Sequence, residues 1–205
     1  MTDVSGHWDS VYSIKGVDEH SWSQKVPATS LRLLRTGDSE SGSVLDVGAG
    51  ASRLVDSLLG AGYTDVTILD ISVEALDTVR SRLGQSAKDV CFVVADVCSW
   101  QPPHTFHAWH DRAVFHFFVD QNDRDNYVAA AAQAVVPGGV AVLATFAVDG
   151  PTQCSGLPTA RYDAKELASV FAPAFVLDHA EREEHVTPWG VIQPFTWVVL
   201  RRTSQ

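Results

Sequence analysis

The strongest constraint on the fold lies in residues 44–54, where an apolar run containing one acid leads through two glycines into a helical pattern. Residues 44–47 predict a buried strand, and Gly48 and Gly50 allow a tight turn that can approach a ligand closely. Apolar residues then recur at helical spacing from Leu54. A strand, a glycine loop and a helix in this order build a nucleotide pocket at the carboxyl edge of a doubly wound α/β sheet.

The residues around this turn indicate which nucleotide the pocket holds. A dinucleotide fingerprint has a third glycine where this chain has Arg53, because helix and strand pack closely there. The carboxylate of Asp46, at the end of the strand, would repel a pyrophosphate. S-adenosylmethionine (SAM) has no phosphate and carries an ammonium and a sulfonium, so it suits a loop with an acid at its base. The sequence Asp46-Val47-Gly48-Ala49-Gly50 resembles motif I of the class I SAM-dependent methyltransferases.

The resemblance continues along the next two strands and implies cofactor contacts there. Asp70 ends a β-rich run 24 positions after Asp46, where an acid accepts hydrogen bonds from ribose hydroxyls, and Ile71 beside it is expected to contact the cofactor. Asp96, after the third strand, is expected to accept from the adenine amino group, with Val97 packed on the ring. The alternatives are a helix cap at Asp70 and an ordinary turn at Asp96.

The loop after the fourth strand lies beside the sulfonium in this fold, so its residues are candidates for catalysis. Asp111-Arg112-Ala113 looks like the Asp-Arg-Gly turn of thiopurine methyltransferase-like enzymes, which implies cofactor or catalytic roles for Asp111 and an acceptor contact for Arg112. His116 is the first candidate for a general base and for an acceptor contact, because imidazole can be neutral near pH 7. His110 is the second candidate base. For both histidines the alternative is a core residue with one hydrogen bond.

The chain is expected to be one methyltransferase domain, with residues 1–43 as an N-terminal cap and residues 44–205 as the SAM-binding core. Tyr12 and Trp22 of the cap are predicted to lie near the methyl acceptor, and the alternative is that they cover the sheet edge. Asp120 is expected to cap a helix that runs to Val136 and that Pro137-Gly138-Gly139 ends. A Pro-Gly-Gly turn between this helix and the fifth strand is frequent in class I methyltransferases. The predicted fold is a doubly wound, seven-stranded, mostly parallel, Rossmann-like sheet with a C-terminal antiparallel hairpin.

Composition limits the partners and the compartment. A net charge of −10, with Lys and Arg never more than two in a row, argues against a nucleic-acid partner. The sequence predicts no signal peptide and no membrane-spanning stretch, and its three unclustered cysteines indicate reduced thiols in the cytoplasm. No metal site is expected, because there are no paired cysteines, and His107 and His110 would face opposite sides of a strand.

The predicted function is methyl transfer from SAM to a nucleophilic N, O or S of a small molecule by in-line displacement. The sulfonium is already a strong leaving group, so the protein mainly holds the acceptor close and aligned, an effect that supplies up to roughly 7–11 kcal/mol. One alternative is a protein-lysine methyltransferase, since several of these have a Trp/Tyr-rich N-terminus and an acidic surface suits a basic protein substrate. A more distant alternative is a non-catalytic or dinucleotide-binding module. The sequence does not indicate the oligomeric state.

Overall fold

The computed structural model describes residues 4–14, 16–36 and 42–204, so residues 1–3, 15 and 37–41 of the predicted cap and residue 205 of the predicted core lie outside it. Within the described ranges the chain forms six α-helices and nine strands, besides three short 3₁₀ helices at Val17–Glu19, Gly84–Asp89 and Phe115–Phe117. In chain order the α-helices and strands are α1 (Val4–Ile14), α2 (Ala28–Thr36), β1 (Val44–Val47), α3 (Leu54–Gly60), β2 (Val66–Asp70), α4 (Val73–Leu83), β3 (Val90–Val94), β4 (Phe106–Arg112), α5 (Gln121–Ala134), β5 (Val135–Phe146), β6 (Gln153–Cys154), β7 (Leu157–Pro158), α6 (Ala164–Phe171), β8 (Phe175–Val186) and β9 (Ile192–Arg202).

Seven of these strands form one mixed sheet in the order β3-β2-β1-β4-β5-β9-β8. The first five strands pair in parallel, whereas β9 is antiparallel to both of its neighbours. This confirms the predicted seven-stranded, mostly parallel sheet with a C-terminal antiparallel hairpin. The strands β6 and β7 form a separate small hairpin. The strand order reverses at β1, which lies between β2 and β4, and ligands bind at such a point in open α/β sheets.

The core consists of two apolar clusters, one on each face of the sheet. One cluster contains Ile68 and Trp197 and packs against α2 and α3, and the other contains Trp109 and Tyr127 and packs against α5 and α6. All four residues of β1 are buried, as expected of a central parallel strand covered on both faces. Because side chains alternate along a strand, Ala108, His110 and Arg112 of β4 face the first cluster, and Trp109 and Asp111 face the second. An irregularity between Phe106 and Ala108 breaks this alternation, so Phe106 also packs in the second cluster.

The chain after α5 differs from the sequence-based expectation in one boundary. The helix was expected to continue to Val136, with Pro137-Gly138-Gly139 ending it. It ends at Ala134 instead, and Val135 already pairs with Phe106 of β4. Two consecutive valines favour a strand because their branched side chains are stiff, so the Pro-Gly-Gly sequence lies inside β5.

Within the ranges that the structure describes, no helix has both the length and the apolar character needed to cross a membrane.

Candidate cofactor and acceptor site

A cavity of about 420 Å³ lies at the carboxyl ends of β1, β2, β3 and β4, where the strand order reverses. One side of it is formed by the turn after β1 and by the ends of β2 and β3. The opposite side is formed by α1, by residues 20–30 and by the β6–β7 hairpin. The cavity falls within the roughly 300–1,000 Å³ range that small-molecule sites occupy.

The glycine turn after β1 requires glycine for two reasons. Gly48 and Gly50 have φ of +58° and +53°, a left-handed conformation that side chains disfavour. A Cβ at Gly48 would also overlap Val114, and one at Gly50 would overlap the hydroxyl of Tyr12. The groups that pack closely against the backbone of this turn are therefore the side chains of Val114 and Tyr12. Gly48 and Ala49 line the cavity, and Gly50 lies beneath Tyr12.

Asp70 lines the cavity at the end of β2, and backbone donors hold both of its carboxylate oxygens. The amide of Gly50 donates to Oδ2 at 2.7 Å and that of Ser72 to Oδ1 at 2.8 Å. Burial raises the pKa of Asp70 to about 6, although these backbone donors oppose the shift. Each oxygen keeps a further lone pair, so the carboxylate can still accept from two hydroxyls. The capping alternative fails, because the Ser72 side chain caps α4.

Three further residues predicted to contact the cofactor also line the cavity. Ile71 does so next to Asp70, and its carbonyl accepts a hydrogen bond from Ser5 of α1. Asp96 and Val97 lie beyond the end of β3. Asp96 also forms a local turn, since its Oδ1 accepts from the Cys98 amide at 2.9 Å. Asp96 can therefore form this turn and still contact a ligand in the cavity.

Asp46 and His110 form a buried pair on neighbouring strands of the cavity floor. His110 Nδ1 lies 2.7 Å from Asp46 Oδ1, and each side chain is only 4% exposed. An ionised carboxylate can only accept, so a neutral imidazole paired with it has its proton on Nδ1 and a lone pair on Nε2. Nε2 has no hydrogen-bond partner among the described residues. Asp46 lines the cavity as well as holding His110, so its predicted contact with the methionine end of the cofactor stays a prediction.

Arg112 lines the cavity two residues after His110, on the same face of β4. Its Nη1 donates to the carbonyl of Trp22 at 2.8 Å, and its guanidinium carbon lies 4.9 Å from the centroid of the Phe195 ring. Burial lowers the pKa of Arg112 to about 10, while the charge of Glu183 opposes the shift, so the side chain is a cation at neutral pH. Its Nε and Nη2 have no hydrogen-bond partner among the described residues.

Aromatic side chains from the N-terminal segment form the wall opposite the sheet. Tyr12 and Trp22, both predicted near the acceptor, line the cavity with Trp8 and His20. The rings of His20 and Trp22 stack, with centroids 4.7 Å apart and planes 11° from parallel. Burial raises the pKa of Tyr12 well above its usual value, as do the charges of Asp70 and Cys154. Tyr12 is therefore a neutral phenol at physiological pH.

The helix α1 is held over the part of the cavity that Asp70 and Ile71 line, by hydrogen bonds to residues 71–74. Asp9 Oδ1 accepts from the Ser72 hydroxyl at 2.6 Å and from the Glu74 amide at 3.3 Å. Ser5 Oγ donates to the carbonyl of Ile71 at 3.0 Å. These contacts lie one to four residues after Asp70, so α1 covers the part of the cavity where the ribose was predicted.

Asp111 does not line the cavity, although a cofactor or catalytic role was predicted for it. Its side chain faces the opposite side of the sheet and is fully buried. It accepts from the amides of Val114 and Phe115, each at 2.9 Å, and from the hydroxyl of Tyr127. Burial raises its pKa to about 6 despite these donors. The carboxylate thus holds the turn after β4, and alternation along the strand explains why it cannot share the face of His110.

His116, the first candidate base and a predicted acceptor contact, does not line the cavity either. Its ring is fully buried, with the Phe117 and Phe146 centroids at 4.5 Å and 4.6 Å. Neither ring nitrogen has a hydrogen-bond partner among the described residues. Burial, and then the charge of Arg112, lowers the pKa of His116 to about 3, which makes it a weak base. The position of His116 therefore fits the alternative of a core histidine better than that of a general base.

Sequence reasoning missed two residues that line the cavity, His20 and Phe117. Glu183 from distant β8 lies close enough to act on the charge of Arg112. Cys154 of β6 also lines the cavity, and burial raises the pKa of its thiol to about 11, so it is not a thiolate at neutral pH. No local pattern marks these residues, because they meet only through folding. Across the described ranges, no three His, Cys, Asp or Glu side chains are grouped as metal ligands would be.

Comparison with known proteins relates this geometry to a family of domains. Residues 44–139 match the family described as a methyltransferase domain. No curated protein matches the chain. A structure from work on the conversion of a disulfide bond into a thioacetal group during echinomycin biosynthesis has a TM-score of 0.75 at 23% identity, covering 98% of this chain and 93% of that one.

Two further solved structures share the fold over nearly all of this chain. The 1,6-didemethyltoxoflavin-N1-methyltransferase of Burkholderia thailandensis, with bound 1,6-didemethyltoxoflavin and S-adenosylhomocysteine, has a TM-score of 0.71 at 21% identity, covering 98% of this chain and 85% of that one. A putative methyltransferase of Haloferax volcanii, in complex with the Trm112 activator, has a TM-score of 0.76 at 15% identity, covering 99% of each chain. At these identities the likeness shows a Rossmann-like methyltransferase fold.

Proposed function

We propose that this SAM-dependent methyltransferase moves the methyl group of its cofactor to a nucleophilic O or N of a small molecule, with His110 as the general base. The methyltransferase domain and the fold support the reaction and the cofactor. The class of acceptor and the identity of the base are inferred from the residues that line the cavity and from its enclosure. The single observation that carries it is the Asp46–His110 pair on the cavity floor.

The residues of the cavity fit the cofactor in type and in order. The strands β3, β2, β1 and β4 are successive neighbours in the sheet, and each brings one feature to the cavity. Asp96 follows β3, Asp70 ends β2, the glycine turn follows β1, and His110 lies in β4. Three strand spacings span about 14 Å. Adenine, ribose and methionine would follow the same order, with Asp70 accepting from the ribose hydroxyls and the reactive end beside β4. The carboxylates of this side suit a cofactor with two positive centres.

Bound SAM supplies an electrophilic methyl group on a sulfonium, which leaves as a neutral thioether. An acceptor that arrives with an O–H or N–H must lose that proton as its lone pair forms the new bond. Asp46 holds the imidazole of His110 with the proton on Nδ1, so that Nε2 is available to take the acceptor proton. A carboxylate that orients a histidine also stabilises the imidazolium that results.

The enclosure of the cavity supports a small acceptor over a protein lysine. The helix α1, residues 20–30 and the β6–β7 hairpin close the side away from the sheet, and aromatic rings form much of that wall. A protein lysine would need a channel through this wall, along which its side chain could bring the amine to the methyl group. The thiopurine methyltransferase-like subgroup stays a prediction that rests on the Asp111–Ala113 turn alone.

Methyl transfer from labelled SAM to paired panels of small hydroxyl, amine and thiol compounds and of basic proteins tests the acceptor class. Transfer to proteins alone, or thermal stabilisation by NAD and not by S-adenosylhomocysteine, would contradict the proposal.

The role of His110 is tested with the acceptor that the panel identifies. His110→Gln should lower kcat by about 10²–10⁴-fold and remove the acid limb of the pH–rate profile. Asp46→Asn should give a smaller loss, because the imidazole remains but is no longer oriented. The exposed His104 provides a matched control, since His104→Gln should leave both kcat and the profile unchanged. An unchanged profile in His110→Gln would remove His110 from the mechanism.

A further inference from the structure

We propose that the methyl acceptor carries a carboxylate or a similar planar anion with two oxygens, and that Arg112 binds it through Nε and Nη2. This inference rests on the proposed function, because it concerns the acceptor of the same site. It narrows the acceptor from small nucleophiles in general to acids.

The first argument is the unused edge of the Arg112 guanidinium. Nη1 is committed to the carbonyl of Trp22, and the guanidinium lies over the ring of Phe195, so its plane is held. Nε and Nη2 form the edge that binds carboxylates through two parallel hydrogen bonds, and both lack a partner among the described residues. A buried charged donor without an acceptor is unfavourable, and a ligand with two oxygens would satisfy both nitrogens.

The second argument is the distribution of charge around the cavity. Of the Lys and Arg residues in the described chain, only Arg53 and Arg112 line the cavity. Arg53 has a carboxylate partner, Asp18, at 3.3 Å. Glu183 is near Arg112, but its oxygens accept from Gln24, Thr29 and Trp197 and make no ion pair with the guanidinium. Arg112 is therefore the cation of the cavity that lacks an ion-pair partner within the described residues.

The third argument is the position of Arg112 relative to the proposed base. His110 and Arg112 are two residues apart on one face of β4, which separates their Cα atoms by about 6.6 Å. An acceptor held by its carboxylate at Arg112 could place a hydroxyl or amine near His110 if about one ring separates the two groups. The stacked rings of His20 and Trp22 provide a flat surface beside the carbonyl that fixes Arg112.

A matched pair of probes tests the proposal. Binding of 4-hydroxybenzoate and of 4-hydroxybenzamide, which differ in charge but hardly in shape, is measured by calorimetry on protein saturated with S-adenosylhomocysteine. The wild type should prefer the acid by about tenfold or more, as expected for hydrogen bonds to a charged group. Arg112→Gln should abolish the preference, and Arg112→Lys should keep only part of it, because lysine retains the charge but not the fork.

A control and a separate titration distinguish the possible failures. Arg32, an exposed arginine that pairs with Glu181 on the outside of the fold, gives the control Arg32→Gln, which should keep the full preference. No preference in the wild type, or a preference that survives Arg112→Gln, overturns the inference. A tenfold loss of S-adenosylhomocysteine affinity in Arg112→Gln, without a change in the acid preference, also overturns it, because the edge then binds the cofactor carboxylate. Failure of the wild type to bind S-adenosylhomocysteine at all would instead be the failure of the proposed function.

Discussion

The hydroxyl of Tyr12 packs directly on the backbone of Gly50, in the space that any side chain at position 50 would need. This contact joins the N-terminal helix to the glycine turn of the sheet. The same glycine donates its amide to Asp70, so one residue connects the cap, the turn and the carboxylate predicted to bind ribose. The glycine is thus required by its tertiary neighbours as well as by its backbone conformation.

Gly50→Ala should therefore lower the unfolding free energy by more than the left-handed backbone strain accounts for, because the new Cβ also overlaps Tyr12. Gly62→Ala is the control, since Gly62 also has a positive φ, +92°, but a Cβ there meets open space. The control should lose about 1–2 kcal/mol of unfolding free energy, and Gly50→Ala should lose more and bind S-adenosylhomocysteine more weakly. Urea denaturation and calorimetry measure the two effects. If the two variants lose the same amount, or if adding Tyr12→Phe restores nothing to Gly50→Ala, the contact is unimportant.

Cofactor affinity should depend on the ionisation of Asp70. In the proposed site the ionised carboxylate would accept from the ribose hydroxyls. Burial raises its pKa to about 6, so protonation begins in mildly acidic solution. Affinity for S-adenosylhomocysteine should therefore be highest above pH 7 and fall as the pH drops through about 6. Asp70→Asn should bind weakly at all pH values and lack this dependence, whereas Asp65→Asn, at an exposed position before β2, should behave as the wild type. A pH-independent affinity in the wild type would contradict the ribose assignment.

His116 should affect acid stability and not catalysis. Its pKa in the folded protein, about 3, lies below the unfolded value of about 6.5, so the unfolded state binds the proton first. Stability is then full above pH 6.5 and is lost as the pH falls towards 3. His116→Leu removes this loss. The unfolding free energy of the variant minus that of the wild type should therefore rise by about 2 kcal/mol as the pH falls from 7 to 5.

Urea titrations at the two pH values measure the difference, with His104→Leu as the exposed control. The pH–rate profile of His116→Leu should match that of the wild type. A profile that loses its acid limb in this variant would restore His116 as the base.

Asp111 should matter for stability through the turn after β4. Asp111→Ala leaves the amides of Val114 and Phe115 and the hydroxyl of Tyr127 without their acceptor. Each buried donor left unpaired costs about 1–3 kcal/mol, so the unfolding free energy should fall by several kcal/mol. Asp125→Ala, on the exposed surface of α5, is the control and should be nearly neutral. A variant that stays stable but loses the acid limb of its pH–rate profile would instead indicate a catalytic Asp111.

Much of the fold was accessible from local patterns. The apolar run before Gly48, the acid at position 70 and the valines of β5 each act on their own segment, so their strands could be predicted before any packing was known. The seven-stranded, mostly parallel sheet and its C-terminal antiparallel hairpin are confirmed. The predicted end of α5 is wrong by two residues: Pro-Gly-Gly typically stops a helix, but the β-branched Val135 and Val136 before it already belong to the strand.

The histidines show where local patterns fail. His110 and His116 both lie in an apolar segment, and nothing near either one in sequence distinguishes a base from a core residue. The difference comes from Asp46, 64 residues from His110 along the chain, whereas His116 meets only apolar rings and the charge of Arg112. The free edge of Arg112 likewise depends on the carbonyl of Trp22, 90 residues away, which takes only one of its nitrogens.

The sequence alone determined the strand–turn–helix at residues 44–54, the acids at the ends of successive strands and hence the α/β class, because these depend on backbone preferences and on the alternation of polar and apolar residues nearby. Only the tertiary structure decided which histidine has an oriented imidazole at the cavity, that Asp111 faces away from it, and that two Arg112 donors have no partner in the part of the chain that the structure describes. Hydrogen-bond partners and burial are properties of residues brought together from distant parts of the chain, and no local pattern contains them.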